Sequence, residues 1–143
     1  MIDKRELRIG NIILADYDMG EVLEVWQVQI RFRKLHPLLG FDDVEIIHLN
    51  NVHPVPLTPE LLEKCGFALN DSGYDKPHSI HIYDDTYLHV FIKRERALIG
   101  AYEKWCGCDC HTNVWHGITP IHSLHQLQNL IYILSGNELN VEI

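Results

Sequence analysis

The sequence predicts an α+β fold with a small N-terminal group of β-strands, a second antiparallel sheet and an amphipathic helix near the C-terminus. Apolar and polar residues alternate with a period of two over Trp26–Arg33, which is typical of a half-buried antiparallel strand. Asp84-Asp85 separates two apolar stretches and predicts a tight turn between two strands. Leucine and isoleucine recur at spacings of three and four from Leu124 to Leu134, as they do in an amphipathic helix.

The first 57 residues are predicted to form one subdomain, a small SH3-like β-barrel. Strands are expected over residues 7–15, from Gly20 through Phe32, and over residues 44–49. Several short twisted strands within about fifty residues are typical of such a barrel. Because a barrel of this size buries only a modest core, we expect it to depend on the residues that follow.

Residues 58–143 are predicted to form a second, α+β subdomain that includes the C-terminal helix. A short helix begins at Thr58-Pro59-Glu60, which combines an N-cap threonine, a proline in the first turn and an acid near the positive helix end. Gly66 ends this helix. Strands are expected over residues 79–83, 86–93, 97–105 and 113–121, and the long helix follows from Ser123 to Ser135. With 143 residues in total, the two subdomains are expected to form one compact unit.

The charge and the apolar runs exclude several classes of protein. Twelve Lys and Arg residues against twenty Asp and Glu residues give a net charge of −8, which argues against a nucleic-acid clamp. No apolar run approaches the ~20 residues that a membrane-spanning helix needs. The charged N-terminus does not resemble a secretory signal, so a cytoplasmic protein without a membrane partner is expected. In that compartment the four cysteines are expected to be thiols or metal ligands, not disulfides.

A cysteine-rich segment is the most distinctive local feature of the sequence. Cysteine and histidine are the ligands that zinc prefers, and four of them close a structural site. In an extended chain, however, a Cys-x-Cys-x-Cys spacing places the thiols on one face roughly 6 to 7 Å apart, and the chain does not turn around an ion. We therefore favour structural or incidental thiols. A metal site remains the alternative, with the candidate ligands Cys106, Cys108, Cys110 and His111.

Catalytic signatures are mostly absent from the sequence. It contains no glycine-rich phosphate loop before a helix, no nucleophile elbow and no His-Glu-x-x-His. The sequence therefore predicts no catalytic residue and no cofactor.

Basic and aromatic residues lie close together in the second half of the chain. Arginine suits bidentate binding of phosphate or carboxylate, and aromatic rings can stack on a base. A small anionic ligand such as a nucleotide could be held in this way, although a solvated strand face with its usual charges is the alternative reading. A second basic stretch, Arg31–Lys34, allows the same two readings. The predicted ligand-binding residues are Arg94, Arg96, Tyr102, Trp105, Trp115 and His116.

Three blocks of the sequence occur in a recognisable order. ELRIGN spans residues 6–11, PVPLTPELLEKCGF spans residues 54–67, and HQLQNL at residues 125–130 is followed by SGNEL at residues 135–139. Together they resemble a family of small uncharacterised proteins encoded by phages, prophages and mobile elements of Bacteroidota. The resemblance implies a genomic setting, with the host cytoplasm as the place of action, and it implies no activity or site.

A small accessory protein of this kind, without catalytic motifs, is expected to be a binding protein. The first hypothesis is a host-defence antagonist that sequesters a nucleotide signal or covers a host protein. A homo-oligomer is expected, because one small domain rarely encloses a nucleotide alone. The alternatives are a structural protein–protein interaction module within a larger assembly and, third, a metal-dependent enzyme built around the cysteine-rich segment.

Overall fold

A computed structural model of the chain describes the backbone of residues 2–36, 43–70, 76–84, 86–104 and 111–142. Within these ranges it describes every side chain outside residues 101–104 and 111–118. The predicted α+β class is confirmed, since two mostly antiparallel sheets are accompanied by a helix near the C-terminus. The chain divides into two compact units, Met1–Pro56 with Ser123–Ile133 and Leu57–His122 with Leu134–Glu142. Among the described residues, no helix is long and apolar enough to cross a membrane.

The first unit contains one antiparallel sheet of five strands. These are β1 (Ile12–Ala15), β2 (Asp18–Val25), β3 (Gln29–Lys34), β4 (Val44–His48) and β5 (Val52–His53), in the order β4-β3-β2-β1-β5. Ile13, Val22, Ile30 and Phe32 form the centre of its buried cluster. Among the described strands, β4 and the two-residue β5 do not pair with each other, so a closed SH3-like barrel is not confirmed.

The alternating stretch that begins at Trp26 does not form one continuous strand. β2 ends at Val25, and the N–H of Trp26 donates to the carbonyl of Gln29 at 2.8 Å, which closes a hairpin turn. Ile30 and Phe32 are buried as the alternation predicts, whereas Trp26 and Val28 are exposed. The prediction of a single strand from Gly20 through Phe32 was wrong, because the apolar alternation continues across the turn.

The second unit combines a short helix with another five-stranded antiparallel sheet. Its elements are α1 (Pro59–Lys64), β6 (Ala68–Leu69), β7 (His78–Tyr83), β8 (Thr86–Phe91), β9 (Arg96–Lys104) and β10 (His111–Pro120), with the strands in the order β10-β9-β8-β7-β6. The hydroxyl of Thr58 accepts the Leu61 N–H at 3.2 Å, which confirms the predicted N-cap. Gly66, with φ +83°, lies just after the helix in the left-handed conformation that glycine tolerates.

The C-terminal helix, α2 (Leu124–Ser135), buries the predicted apolar stripe at Leu124, Leu127 and Ile131. This helix was predicted to belong with residues 58–143, and the first compact unit contains residues 123–133. α2 makes polar contacts with the chain before β1. The buried side chain of Gln128 accepts the N–H of Ile12 at 2.8 Å and donates to the carbonyl of Gly10 at 3.1 Å.

Candidate functional site

A cavity of about 530 Å³ lies in the second unit, beside the turn that joins β8 to β9. A volume of this size falls within the range of small-molecule sites, about 300–1,000 Å³. The lining comes from the first residue of α1, from the start of β7, and from the end of β8 with the turn that follows. Among the described residues, the lining consists of Pro59, Lys76, His78, Phe91, Ile92, Lys93 and Arg94.

The turn after β8 brings the basic residues of the cavity out of the sheet. Ile92–Arg94 form a single 3-10 turn, and the N–H of Glu95 donates to the carbonyl of Ile92 at 3.0 Å. Glu95 has φ +51°, a left-handed conformation that turns the chain back into β9. The strand predicted over residues 86–93 therefore ends at Phe91.

The lining of the cavity is positively charged. It contains Lys76, Lys93 and Arg94, all exposed, and no carboxylate belongs to the described lining. Glu60 follows Pro59 in α1, and hydrogen bonds with its own backbone N–H and with the Thr58 hydroxyl lower the pKa of its carboxyl group. Three cations around one cavity favour an anionic ligand, and an arginine among them can bind a phosphate or carboxylate through two parallel hydrogen bonds.

His78 is the buried polar residue of this wall. Its side chain is only 6% exposed, and its Nε2 atom has no hydrogen-bond partner in the described part of the chain. Buried polar atoms are nearly always hydrogen-bonded, and an unpartnered one costs about 1–3 kcal/mol. An unpartnered nitrogen beside a cavity is therefore a candidate contact for a ligand.

The structure places the two predicted arginines near the same end of β9. Arg94 lines the cavity, and Arg96 begins β9 opposite Phe91, which also lines the cavity. Tyr102 lies six residues further along β9, opposite Asn113. At ~3.3 Å per residue this is about 20 Å from Arg96 along the strand, so the backbone register does not bring Tyr102 to the cavity.

Of the remaining predicted ligand-binding residues, Trp115 and His116 have a described backbone, in β10. Trp115 and His116 pair with Gly100 and Ile99 in the backbone register. Trp105 lies outside the described residues. The described part of the cavity combines Arg94 with the aromatic ring of Phe91, and the grouping of the arginines with Tyr102, Trp105, Trp115 and His116 stays a prediction.

Five described cavity residues were not predicted from the sequence: Pro59, Lys76, His78, Phe91 and Ile92. One pattern in the sequence could have indicated His78. It lies two positions before Ile80 in β7, so both residues lie on the inward face of that strand. The contact between the start of β7 and the turn after β8 depends on the strand register, which residue types alone do not specify.

The second basic stretch is neutralised by acids on neighbouring strands of the first unit. The contacts are Arg31–Glu24 at 2.9 Å, Arg33–Glu21 at 3.8 Å, Lys34–Asp18 at 3.0 Å and Lys34–Glu45 at 2.8 Å. Hydrogen bonds to the two acids raise the pKa of Lys34. These pairs favour the solvated-face reading of the stretch over an anion site.

The cysteines are not brought together by any described contact. Cys106, Cys108 and Cys110 lie outside the described residues, and of His111 only the backbone, at the start of β10, is described. No group of three potential metal ligands occurs among the side chains that are described. Cys65 is a buried free thiol, and burial raises its pKa to about 11, so it is protonated at neutral pH and is a poor nucleophile.

A cross-strand pair of Ser79 and His89 lies next to the cavity residues in sequence. The Ser79 hydroxyl lies 2.6 Å from Nδ1 of His89, and His89 is buried. Neither residue lines the cavity. The contact satisfies a buried imidazole nitrogen, which is the ordinary requirement for a polar group in a core.

We expect the free energy of unfolding to fall as the pH is lowered through ~6.5, the usual pKa of histidine in an unfolded chain. Burial lowers the pKa of His89 and that of His125, although a hydrogen bond to Glu6 partly offsets the shift at His125. The unfolded chain therefore takes up these two protons at a higher pH than the folded protein does. Urea unfolding between about pH 7.5 and about pH 5.5 measures the effect.

The matched comparison for this pH dependence uses His89→Gln and His125→Gln. Both variants should show a smaller loss of stability on acidification than wild type. Slopes equal to the wild-type slope in both variants would contradict the assignment to the buried imidazoles.

Comparison of the chain with family models, curated proteins and solved structures finds no match. The resemblance to phage and mobile-element proteins therefore stays a prediction.

Proposed function

We propose that this chain is a non-catalytic binding protein for a small anionic ligand such as a nucleotide. The observation that carries the proposal is the cavity of about 530 Å³ beside Ile92–Arg94, with three exposed cations around a partly apolar interior. The cations would attract and orient the anionic group, and the apolar wall would remove the rest of the ligand from water. Of the two predicted ligand-binding residues whose side chains the structure describes, Arg94 and Arg96, Arg94 lines it.

The resemblance to phage and mobile-element proteins implies a biological role for this binding. In the host cytoplasm, a phage or mobile-element protein that holds a nucleotide signal would lower its free concentration and so antagonise a defence system. Because the cavity opens at exposed residues, a second copy of the chain could complete the enclosure, and the proposed state is a homo-oligomer. Native mass spectrometry of gently purified protein would report the subunit number and any ligand that co-purifies.

We expect the protein to bind at least one of a panel of cyclic and ADP-ribose-type nucleotides with a Kd of ~10 μM or lower, which corresponds to roughly 7 kcal/mol. The double variant Lys93→Ala/Arg94→Ala should weaken this binding at least ~10-fold and should make it less sensitive to salt, because two of the three cations are removed. Isothermal titration calorimetry at low and high salt measures both effects.

The control for charge removal is the double variant Arg31→Ala/Arg33→Ala in the first unit. It also removes two positive charges, but those arginines do not line the cavity and lie in the first unit, where they contact Glu24 and Glu21. Its affinity should match wild type, and Glu60→Gln should bind as well as wild type or better. The proposal fails if no member of the panel binds, or if the control loses as much affinity as Lys93→Ala/Arg94→Ala.

A second candidate function is a protein–protein interaction module, and it rests on exposed apolar residues of the first unit. Val28 is 53% exposed in the β2–β3 turn, and Ile46 is 58% exposed on the edge strand β4. The finer expectation of an SH3-like barrel belongs to this proposal, and the pairing of β5 with β1 supports it. A pull-down in which wild type captures a defined partner and Val28→Ser/Ile46→Ser does not would favour the module.

A further inference from the structure

We propose that the cavity takes a nucleotide with its base inward and its phosphate at the rim, and that His78 determines which base is accepted. This inference deepens the proposed function and rests on it. It names both the ligand class and its direction of entry.

The lining is divided into an outer charged part and an inner apolar part. Lys76, Lys93 and Arg94 are exposed, whereas Phe91 and Ile92 are half-buried and His78 is buried. A phosphate on the outer cations keeps part of its hydration, which avoids the large cost of burying an anion. An uncharged ring further in can contact Phe91 and Ile92, and stacking on an aromatic side chain is common to all bases.

Nε2 of His78 requires a hydrogen-bonding group on the inner part of the ligand. The nitrogen is shielded from solvent and has no partner in the described chain. A neutral imidazole nitrogen either donates or accepts a hydrogen bond, and a half turn of the ring about the Cβ–Cγ bond exchanges the positions of Nε2 and Cε1. A group that enters the cavity can therefore meet this nitrogen once the ring has turned.

The need for a hydrogen-bonding group beside an apolar wall argues against two simpler ligands. A hydrocarbon chain with a terminal phosphate would leave the His78 nitrogen unpartnered. Inorganic phosphate is too small and too polar to cover the apolar wall at Phe91 and Ile92. A heterocyclic base meets both requirements. The donors and acceptors on its edge can hydrogen-bond to His78, and its apolar faces can contact Phe91 and Ile92.

The test uses the four common ribonucleoside monophosphates, their nucleosides and inorganic phosphate as probes, titrated calorimetrically into wild type and variants. For the nucleotide that binds most tightly, His78→Phe should weaken nucleotide and nucleoside by the same factor, about tenfold, because one hydrogen bond to the base is lost. Lys93→Ala/Arg94→Ala should weaken the nucleotide and leave the nucleoside unchanged. Inorganic phosphate should bind at least ~100-fold more weakly than the nucleotide.

Each result separates this inference from the function on which it rests. If nucleotides bind but His78→Phe weakens the nucleotide alone, or inorganic phosphate binds as tightly as the nucleotide, the base-inward orientation is wrong and the anion-binding function stands. If none of the probes and none of the larger nucleotide panel binds wild type, both are wrong.

A second measurement does not depend on the folding of His78→Phe. In wild type labelled with ¹⁵N-histidine, the Nε2 resonance of His78, assigned through the conservative variant His78→Gln, should shift when either nucleotide or nucleoside is added. It should not shift with inorganic phosphate. A shift with phosphate as large as the shift with nucleotide would overturn the orientation.

Discussion

Replacing Gln128 by alanine is expected to lower the free energy of unfolding by about 3 kcal/mol. Gln128 is buried, and its amide group contacts the backbone ahead of and at the start of β1. The N–H of Ile12 and the carbonyl of Gly10 would both lose their partner in the variant. A buried backbone group left unpartnered costs about 1–3 kcal/mol, and the side-chain atoms removed from the core add to the loss.

The control is Gln126→Ala, two positions earlier on the same helix. Its amide lies 3.4 Å from the Glu6 carboxylate in an exposed contact, and it is less buried than Gln128. We expect a loss of at most about 0.5 kcal/mol there, as for most surface substitutions. Urea unfolding followed by far-ultraviolet circular dichroism compares the two variants, and losses of equal size would show that the Gln128 contacts contribute nothing specific.

Neighbouring contacts join two of the three sequence blocks within the first unit. Arg8 and Asn11 of the first block donate to the Asn129 side chain of the last block at 3.2 and 2.9 Å, and Asn129 donates to the Glu6 carbonyl at 2.6 Å. With Gln128 they attach α2 to the chain before β1. These polar residues therefore stabilise the first unit, and their presence carries no information about the cavity in the second unit.

The sequence was most informative where structure depends on neighbouring residues. The Thr58-Pro59 start of α1 and the apolar stripe of α2 were predicted, because capping and helical spacing act within a few residues. The hairpin turn after Val25 was missed because the alternation of apolar residues continues through it. Gln128 and Asn129 carried no signal of their own, since their partners lie more than a hundred positions away in the sequence.

The candidate site could be predicted only in part, because it combines residues that are close in the sequence with residues that are distant. The basic cluster was visible at Lys93–Arg96, and the structure places Lys93 and Arg94 in the wall of the cavity. Tyr102 was chosen by closeness in sequence, but a strand separates residues by ~3.3 Å each, so its backbone lies about 20 Å along β9 from Arg96. His78 comes from a different strand, and only the register of the sheet connects it with the turn after β8.

Replacing Gly20 by alanine is expected to destabilise the protein by about 2–3 kcal/mol. Gly20 lies in β2, paired with Ile13 and Lys34. A Cβ atom there would overlap the ring of Phe32 and lie 2.8 Å from the carbonyl oxygen of Arg33. Phe32 is fully buried in the core of the first unit and has little room to move, so the strand must shift.

Gly136→Ala serves as the control, because its cost has a different origin. Gly136 has φ +72° and no atom within 4 Å of the position of an added Cβ, so alanine there meets backbone strain without overlap. That strain costs about 1 kcal/mol. Urea unfolding should therefore rank Gly20→Ala clearly below Gly136→Ala in stability.

The overlap with Phe32 can be tested directly by a double-mutant cycle. Phe32→Leu alone should destabilise the core, but in the Gly20→Ala background the smaller side chain makes room for the new methyl group. The double variant should thus be more stable than the sum of the two single losses predicts, by about 1 kcal/mol. Additive losses would mean that the Arg33 carbonyl, and not the Phe32 ring, excludes a side chain at this position.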